Sequence, residues 1–255
     1  MHSEKIRFKN RQGIELAARL DLPEEQPLAF ALGAHCFTCT KDIPAMHGIS
    51  TALVNQGIAL LRFDFTGLGH SGGEFENSGF RANLEDIESA ITFLSNEYYP
   101  PKLLFGHSLG GTAVLAVAHK IPSLKLVASI GSPYQPAHSK HLFKSVLKEL
   151  ETNESTTVTL SKREFTITRE FVKQLEGHDM AASIQAINCS VMVFHDPHDD
   201  VVELSNAKMI YDAAKHPKSF IALPDVGHMI NNHKKDAEYV ASILAAATKF
   251  AVTNR

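Results

Sequence analysis

The stretch from Lys102 to Lys120, KLLFGHSLGGTAVLAVAHK, constrains the fold more than any other part of the sequence. Its apolar residues Leu103 to Phe105 suit a short buried strand, and the run rich in Ala, Leu and Val after Gly110 has helical spacing. So tight a connection needs small residues on both sides of its apex, and Gly106 and Gly110 supply them. The pattern predicts a strand, a sharp turn with Ser108 at its apex, and a helix.

Ser108 is therefore a candidate nucleophile. In a G-x-S-x-G turn the hydroxyl points away from the sheet, and the amide of the next residue, Leu109, points from the helix N-terminus toward the oxygen under attack. A Gly-rich turn with a capping serine has the same residues, so the motif alone leaves both interpretations open. His107 is expected to pack beside the nucleophile, where it can contact substrate.

Length and charge limit the classes of function. A chain of 255 residues suffices for one large α/β domain or two small ones, and we expect one domain over 1–255 with an insertion. The formal net charge of -3 provides no basic surface for nucleic acid or for a membrane. Because no signal peptide or apolar run of 18 residues is evident, we expect a cytoplasmic protein that binds neither.

Strand and helix patterns alternate along most of the chain. Two alternating segments at the N-terminus predict an antiparallel hairpin, and continuous apolar runs predict strands covered on both faces by helices. The predicted strands are 3–9, 14–22, 28–34, 58–63, 103–105, 125–130, 190–194 and 219–223. The main predicted helices are 44–55, 81–96, 203–214 and 235–250. The expected fold is α/β, with a mostly parallel central sheet, an N-terminal antiparallel hairpin and helices on both faces.

The alternation stops over residues 133–188, a segment rich in charged residues and Thr and too long for a simple connection. Phe143, Val146, Leu147 and Leu150 keep helical spacing. We therefore predict a small, partly helical cap inserted over the crevice.

A serine nucleophile needs a base to accept its proton and an acid to orient that base. Two later strands are followed directly by suitable residues: Asp199 lies in the run His195 to Val202, and His228 in the run Pro224 to Met229. The order Ser108, Asp199, His228 is the one that a G-x-S-x-G turn leads us to expect. The neighbouring Asp200 is the alternative acid.

These motifs resemble those of the α/β-hydrolases over nearly the whole chain. HCFTCTKD, D-x-x-G-x-G-x-S-G-G, GHSLGG, H-x-P-x-D-x-x-V and DVGHMINNHKKDAEYVA resemble the hydrolase half of bacterial proteins that fuse such a domain to an OsmC-like module. The resemblance implies that Ser108 is the nucleophile, Asp199 the acid and His228 the base.

The resemblance also implies that the amides of Leu109 and Phe37 form the oxyanion hole. Many relatives have His-Gly where this chain has His35 and Cys36, so Cys36 is the neighbouring alternative for the second amide. His35 is expected to shape its loop by hydrogen bonding. Both residues are expected to lie at the substrate site.

Two other chemistries compete with this interpretation. Cys36 and Cys39 form a C-x-x-C, which occurs in redox pairs and zinc sites, and a thiol enzyme would use Cys36 as nucleophile. Neither the thioredoxin-like context nor further ligands at matching spacing are evident, and three cysteines suit reduced thiols in a reducing compartment. The run from His195 to Asp200 resembles a metal site, but an acid loop has the same residues, so no metal or cofactor is expected.

The expected function is hydrolysis of small or medium carboxylic esters through an acyl-enzyme. A serine peptidase, a lysophospholipase or a thioesterase would use the same residues, and a non-catalytic ligand-binding protein could keep the fold. The sequence does not reveal the oligomeric state.

Overall fold

A computed structural model describes residues 1–160, 163–230, 232 and 234–254. The strands are β1 (His2–Lys9), β2 (Glu15–Leu22), β3 (Ala29–Ala34), β4 (Ile58–Phe63), β5 (Leu103–His107), β6 (Leu126–Ile130), β7 (Ser155–Leu160), β8 (Arg163–Thr168), β9 (Ser190–His195) and β10 (Lys218–Ala222). The α-helices are α1 (Pro44–Asn55), α2 (Phe80–Glu97), α3 (Leu109–Val117), α4 (Glu149–Thr152), α5 (Arg169–Gln174), α6 (Met180–Gln185), α7 (Leu204–Ala213) and α8 (Lys235–Thr253). Segments of 3-10 helix cover Phe75–Asn77, Ala118–Lys120 and Pro136–Val146.

Eight of the strands form one twisted layer in the order β1-β2-β4-β3-β5-β6-β9-β10. The hairpin of β1 and β2 pairs antiparallel with β4, and the remaining neighbours are parallel. All residues of β3, β4, β5 and β6 are buried, as their continuous apolar sequences predict for strands with helices on both faces. The predicted fold class is confirmed.

The helices divide between the two faces of this sheet. One buried cluster joins the sheet to α1 and α8, and a second joins it to α2, α3 and α7. Every residue of α3 is buried, so this helix lies in the interior beside the strand that precedes it. Ser108 is thus attached to two elements that are packed on all sides.

The segment between β6 and β9 differs in part from the prediction. Residues 136–146 form a 3-10 segment with non-helical backbone at Phe143, where φ is -128° and ψ is 28°. The segment is partly helical, as predicted, but its first helical part is a 3-10 segment that kinks at Phe143 and is followed by the single turn of α4.

This segment also contains an antiparallel hairpin, β7 and β8, which the sequence analysis missed. Its alternation of Thr with buried Val158, Phe165 and Ile167 is the signal that could have predicted it. The helices after the hairpin begin at side-chain caps, with Thr168 accepting from the amide of Phe171 and Asp179 from that of Ala182.

A buried ionic network connects the sheet to the loop after β3. The Arg62 side chain in β4 donates from Nε to Asp21 Oδ2 at 2.7 Å and from Nη1 to Asp42 Oδ1 at 2.6 Å. Lys41 Nζ donates to Asp64 Oδ2 at 2.7 Å, and the Asp64 side chain is fully buried. Burial raises the pKa of Asp21, but the hydrogen bonds from Arg62 and two serines outweigh it and hold this pKa below its ordinary value.

Replacing Arg62 by Met should lower the free energy of unfolding by about 3 to 5 kcal/mol, because Asp21 would keep its buried charge without its cationic partner. Urea unfolding at pH 7 measures the change. The control is Arg81→Met, since the Arg81 side chain is 82% exposed and pairs with Glu85 in the same helix. That variant should change stability by less than about 0.5 kcal/mol. Equal losses in the two variants would contradict a structural role for the buried network.

Candidate active site

Ser108 lies at the apex of the turn between β5 and α3, with φ 52° and ψ -127°. Positive φ is unfavourable for a residue other than Gly and persists only where the surroundings impose it. A Cβ atom at Gly106 would overlap the carbonyl of Gly110, and one at Gly110 would overlap the carbonyl of His35. The two glycines are therefore required by the close approach of strand and helix.

The structure brings Ser108, His228 and Asp199 into one chain of hydrogen bonds. His228 Nε2 lies 3.1 Å from Ser108 Oγ, and His228 Nδ1 lies 2.8 Å from Asp199 Oδ2. The side chain of His228 is 8% exposed and that of Asp199 is 1% exposed. If Asp199 is ionised it can only accept, so Nδ1 carries the proton and Nε2 is free to accept one from the serine hydroxyl.

The surroundings of Asp199 favour its ionised form. Its Oδ1 accepts from the backbone amides of Val201 at 2.8 Å and Val202 at 2.9 Å. Burial raises the pKa of Asp199, but the hydrogen bonds from His228 and these amides outweigh it and lower the pKa below its ordinary value. Asp200, the alternative acid, is exposed, and the carboxylate that binds His228 Nδ1 is that of Asp199.

The sequence analysis missed two residues that support this arrangement. Asp196 accepts from the amide of His198 through Oδ1 at 2.8 Å and from the amide of Gly227 through Oδ2 at 2.6 Å, so it joins the loop of the acid to the loop of the base. Gly131 has φ 54°, and a Cβ atom there would lie 3.3 Å from Asp199 Oδ2. Asp196 directly follows β9 and Gly131 directly follows β6. This position after a strand is the only feature of the sequence that could have indicated their roles.

The loop of residues 35–42, which we call the oxyanion loop, lies beside the turn of Ser108. His35 Nε2 accepts from the amide of Phe65 at 3.3 Å, so its Nδ1 carries the proton and donates to the carbonyl of Cys36 at 2.8 Å. Burial lowers the pKa of His35, which keeps this tautomer neutral. His35 thus shapes the loop by hydrogen bonding.

Cys36 and Cys39 are joined by a disulfide. The expectation of reduced thiols is wrong for this pair, because the turn from Cys36 to Cys39 brings the two sulfur atoms together. Cys189 is the free cysteine, and burial raises its pKa to about 11. A bonded Cys36 is not available as a nucleophile, so the structure does not support a thiol enzyme.

The backbone amides of Phe37 and Leu109 donate to none of the residues that the structure describes. Both residues line a small cavity, together with His35, Cys36 and Gly110. The volume of this cavity is about 10 Å³, roughly enough for one water molecule. The two residues of the predicted oxyanion hole therefore border the same cavity, and neither amide has an acceptor among the described residues.

Aromatic side chains lie beside this cavity: Phe37, Phe75 and Phe171 line it, and Phe143 and Phe165 pack against them. We call them the phenylalanine cluster, which consists of Phe37, Phe75, Phe143, Phe165 and Phe171. The Phe37 ring centroid lies 5.9 Å from that of Phe171 and 6.3 Å from that of Phe143, so the cap packs directly on the oxyanion loop. Ser108, Asp199 and His228 are not among the residues that line the cavity.

A larger groove of about 730 Å³ lies between α1 and α8, and none of the predicted site residues lines it. Across the described ranges, no three His, Cys, Asp or Glu side chains are grouped so that they could hold a metal ion. In the run after β9, the imidazole of His195 contacts the carbonyl of Val202, and Asp196 accepts backbone amides. No helix in the described part of the chain is both long enough and apolar enough to cross a bilayer.

Sequence comparison finds relatives that carry enzyme names. The profile of the family described as "Serine aminopeptidase, S33" matches residues 42–166. The human mitochondrial palmitoyl-protein thioesterase ABHD10 is 29% identical over 163 residues, which are 61% of this chain and 52% of the human protein. The chain thus spans about half the length of the curated relatives that it matches first.

Solved structures match over almost the full chain. The esterase domain of a Rhodothermus marinus protein is 42% identical, covers 98% of this chain and 99% of its own, and superposes with a TM-score of 0.79. Est1E from Butyrivibrio proteoclasticus, solved with ferulic acid, is 18% identical with a TM-score of 0.77 and coverage of 94% and 96%, and it shows the fold alone. With the sheet order and the turn at Ser108, these likenesses show that the chain belongs to the α/β-hydrolase superfamily.

Proposed function

We propose that this chain is a serine hydrolase that cleaves carboxylic esters of small or medium acyl groups through an acyl-enzyme on Ser108. The observation that carries the proposal is the continuous hydrogen-bond chain from Ser108 Oγ through His228 to Asp199. The Rhodothermus marinus relative, which is 42% identical over nearly the whole length, is named an esterase, and this name supports an ester as the bond that is cleaved.

In the proposed reaction His228 Nε2 accepts the Ser108 proton while Oγ attacks the ester carbonyl. Asp199 stabilises the resulting imidazolium, and the amides of Phe37 and Leu109 donate to the tetrahedral oxyanion. The imidazolium then protonates the departing alkoxide. Water, deprotonated by His228, attacks the acyl-enzyme carbonyl, and the imidazolium then protonates Ser108 Oγ as its bond to the acyl group breaks and the carboxylic acid leaves. None of these reaction steps requires a cofactor.

Two imidazoles lie close to the nucleophile, and we assign the base to His228. The ring centroids of His107 and His228 are 5.0 Å apart, but the Nε2 atom of His107 donates to the backbone carbonyl of His228 at 2.7 Å. Burial, and then the nearby charge of His228, lower the pKa of His107 to about 4. His107 therefore stays neutral and positions the peptide of the base.

The phenylalanine cluster favours an apolar acyl group, because the space next to Leu109 and Phe37 offers aromatic surface rather than charge. A thioesterase is the second candidate. Its support is the name of the ABHD10 relative, and a thioester carbonyl is attacked by the same groups. The peptidase name of the matched profile supports a third candidate, a serine peptidase. The cytoplasmic location stays a prediction.

The test is a panel of p-nitrophenyl esters and matched thioesters with acyl chains of increasing length. We expect Ser108-dependent hydrolysis that is fastest for short or medium esters, and Ser108→Ala should lower kcat by at least about 10⁴-fold. A fluorophosphonate should form one adduct, on Ser108. Hydrolysis that survives Ser108→Ala would overturn the mechanism, and a folded protein without labelling would indicate a ligand-binding protein.

Asp199→Asn should lower kcat by roughly 10³- to 10⁴-fold with little change in KM, because an amide favours the wrong tautomer of His228. The matched control is Asp200→Asn at the exposed neighbouring position, which should stay within about twofold of the wild type. Steady-state kinetics on one p-nitrophenyl ester compare the two. A larger loss from Asp200→Asn would identify it as the acid instead.

His107→Gln should reduce the loss in free energy of unfolding that occurs as the pH falls from 7 to 4. Because the pKa of His107 falls from 6.5 to about 4 on folding, the unfolded state binds an extra proton between these values. Stability contributed by neutral His107 is thus present above pH 6.5 and lost as the pH falls to 4, by about 3 kcal/mol in all.

Urea unfolding between pH 7 and pH 4 measures this difference between wild type and variant. The control is His2→Gln, since the His2 side chain is 69% exposed. A profile of His107→Gln that parallels the wild type would show that His107 does not resist protonation.

A further inference from the structure

The peptide between Cys36 and Phe37 determines where the second oxyanion donor points. Because a trans peptide is planar, its N–H is directed opposite to its C=O. The carbonyl of Cys36 accepts two hydrogen bonds, from His35 Nδ1 at 2.8 Å and from the amide of Cys39 at 3.1 Å. These two bonds therefore also set the direction of the Phe37 amide.

The bond from Cys39 closes a four-residue turn that is unfavourable for this sequence. Thr38, the third residue of the turn, has φ 58°. This position favours Gly or Asn, and a β-branched residue rarely occupies it. Positive φ at Thr38 costs free energy, so the turn needs a constraint to keep the conformation that it has.

The disulfide joins the first and last residues of this turn. We propose that Cys36 and Cys39 are positioning residues whose disulfide holds the Phe37 amide toward the oxyanion, so that the redox state of this pair controls turnover. The inference rests on the proposed function, since it concerns the oxyanion donors of that reaction. It predicts an effect on the transition state, where negative charge develops, and not on the bound substrate.

The reductant is a dithiol, and the exchange is balanced in two steps. Cys36 is 5% exposed and Cys39 is more exposed, so the first thiolate attacks Cys39 Sγ. A sulfur–sulfur bond to the dithiol forms, the Cys36–Cys39 bond breaks, and Cys36 leaves as a thiolate that takes a proton. The second thiol then attacks the mixed disulfide and releases Cys39, and the dithiol ends as its cyclic disulfide.

The experiment compares oxidised protein with protein that has been reduced by dithiothreitol and desalted without oxygen. We expect kcat for a p-nitrophenyl ester to fall about tenfold on reduction, with KM within about twofold, and to recover on reoxidation. Complete loss of one donor would cost about 10²- to 10³-fold, and a loosened turn retains part of its contribution.

Variants assign the effect to this pair. Cys39→Ser should have the lower kcat in both conditions and no redox response. The matched control is Cys189→Ala, which removes the free thiol and should keep the full response of the wild type. A response that disappears in Cys189→Ala would overturn the proposal.

A second measurement separates positioning from general loosening of the structure. A trifluoromethyl ketone forms a tetrahedral oxyanion with Ser108, and its inhibition constant should rise about tenfold on reduction, as kcat falls. The binding of the uncharged amide analogue of the substrate should not change. A rise in KM or a weaker amide complex with unchanged kcat would assign the disulfide to substrate binding and overturn the proposal.

The outcomes distinguish this inference from the proposed function. Equal kcat in the oxidised and reduced forms of an enzyme that depends on Ser108 would overturn the redox inference alone. Absence of any Ser108-dependent hydrolysis would overturn the proposed function and this inference together.

Discussion

The active site depends on the contact between backbone atoms where β5 enters α3. Gly106, Gly110 and the carbonyl of His35 lie so close together that no side chain fits between them. This contact holds Ser108 at positive φ and sets the end of β3 directly against the start of α3. Strain of this kind costs about 1 to 3 kcal/mol. The packing of the fully buried β5 and α3 offsets this cost in free energy.

The oxyanion loop is fixed at both of its ends by different interactions. At its start, the carbonyl of Cys36 accepts from His35 Nδ1 and from the amide of Cys39, and the disulfide joins Cys36 to Cys39. At its end, Lys41 Nζ donates to the buried carboxylate of Asp64, and Arg62 Nη1 donates to the carboxylate of Asp42. The charged side chains of the loop thus lie at its C-terminal end, at Lys41 and Asp42, and residues 35–40 include no Asp, Glu, Lys or Arg.

The sequence predicts the sheet and its helices well because each has a local pattern. The apolar run Ile58–Phe63 and the helix Pro44–Asn55 have the predicted bounds, since turn residues or a proline mark their ends. The cap lacks such patterns. Its α-helices are one or two turns long, and the ring of Phe143, where the backbone kinks, packs against Phe37, which is a tertiary contact. Periodicity cannot report contacts between residues that are distant in sequence.

The candidate site was predictable to the extent that residues follow strands or belong to motifs. Ser108, Asp199 and His228 satisfy both conditions, and their convergence follows from the parallel sheet. Asp196 satisfies only the first, and its acceptor role depends on the amide of Gly227, which is 31 residues away. The bond between Cys36 and Cys39 likewise depends on the conformation of Thr38, which no residue pattern indicates.

The cap enters after β6 and leaves before β9, and these two strands are parallel neighbours in the sheet. Its own hairpin, β7 and β8, forms a separate two-stranded sheet and pairs with no strand of the large one. The backbone hydrogen bonds of the eight-stranded sheet therefore do not involve the hairpin, so its sequence can vary without changing the order of the strands that carry Ser108, Asp199 and His228.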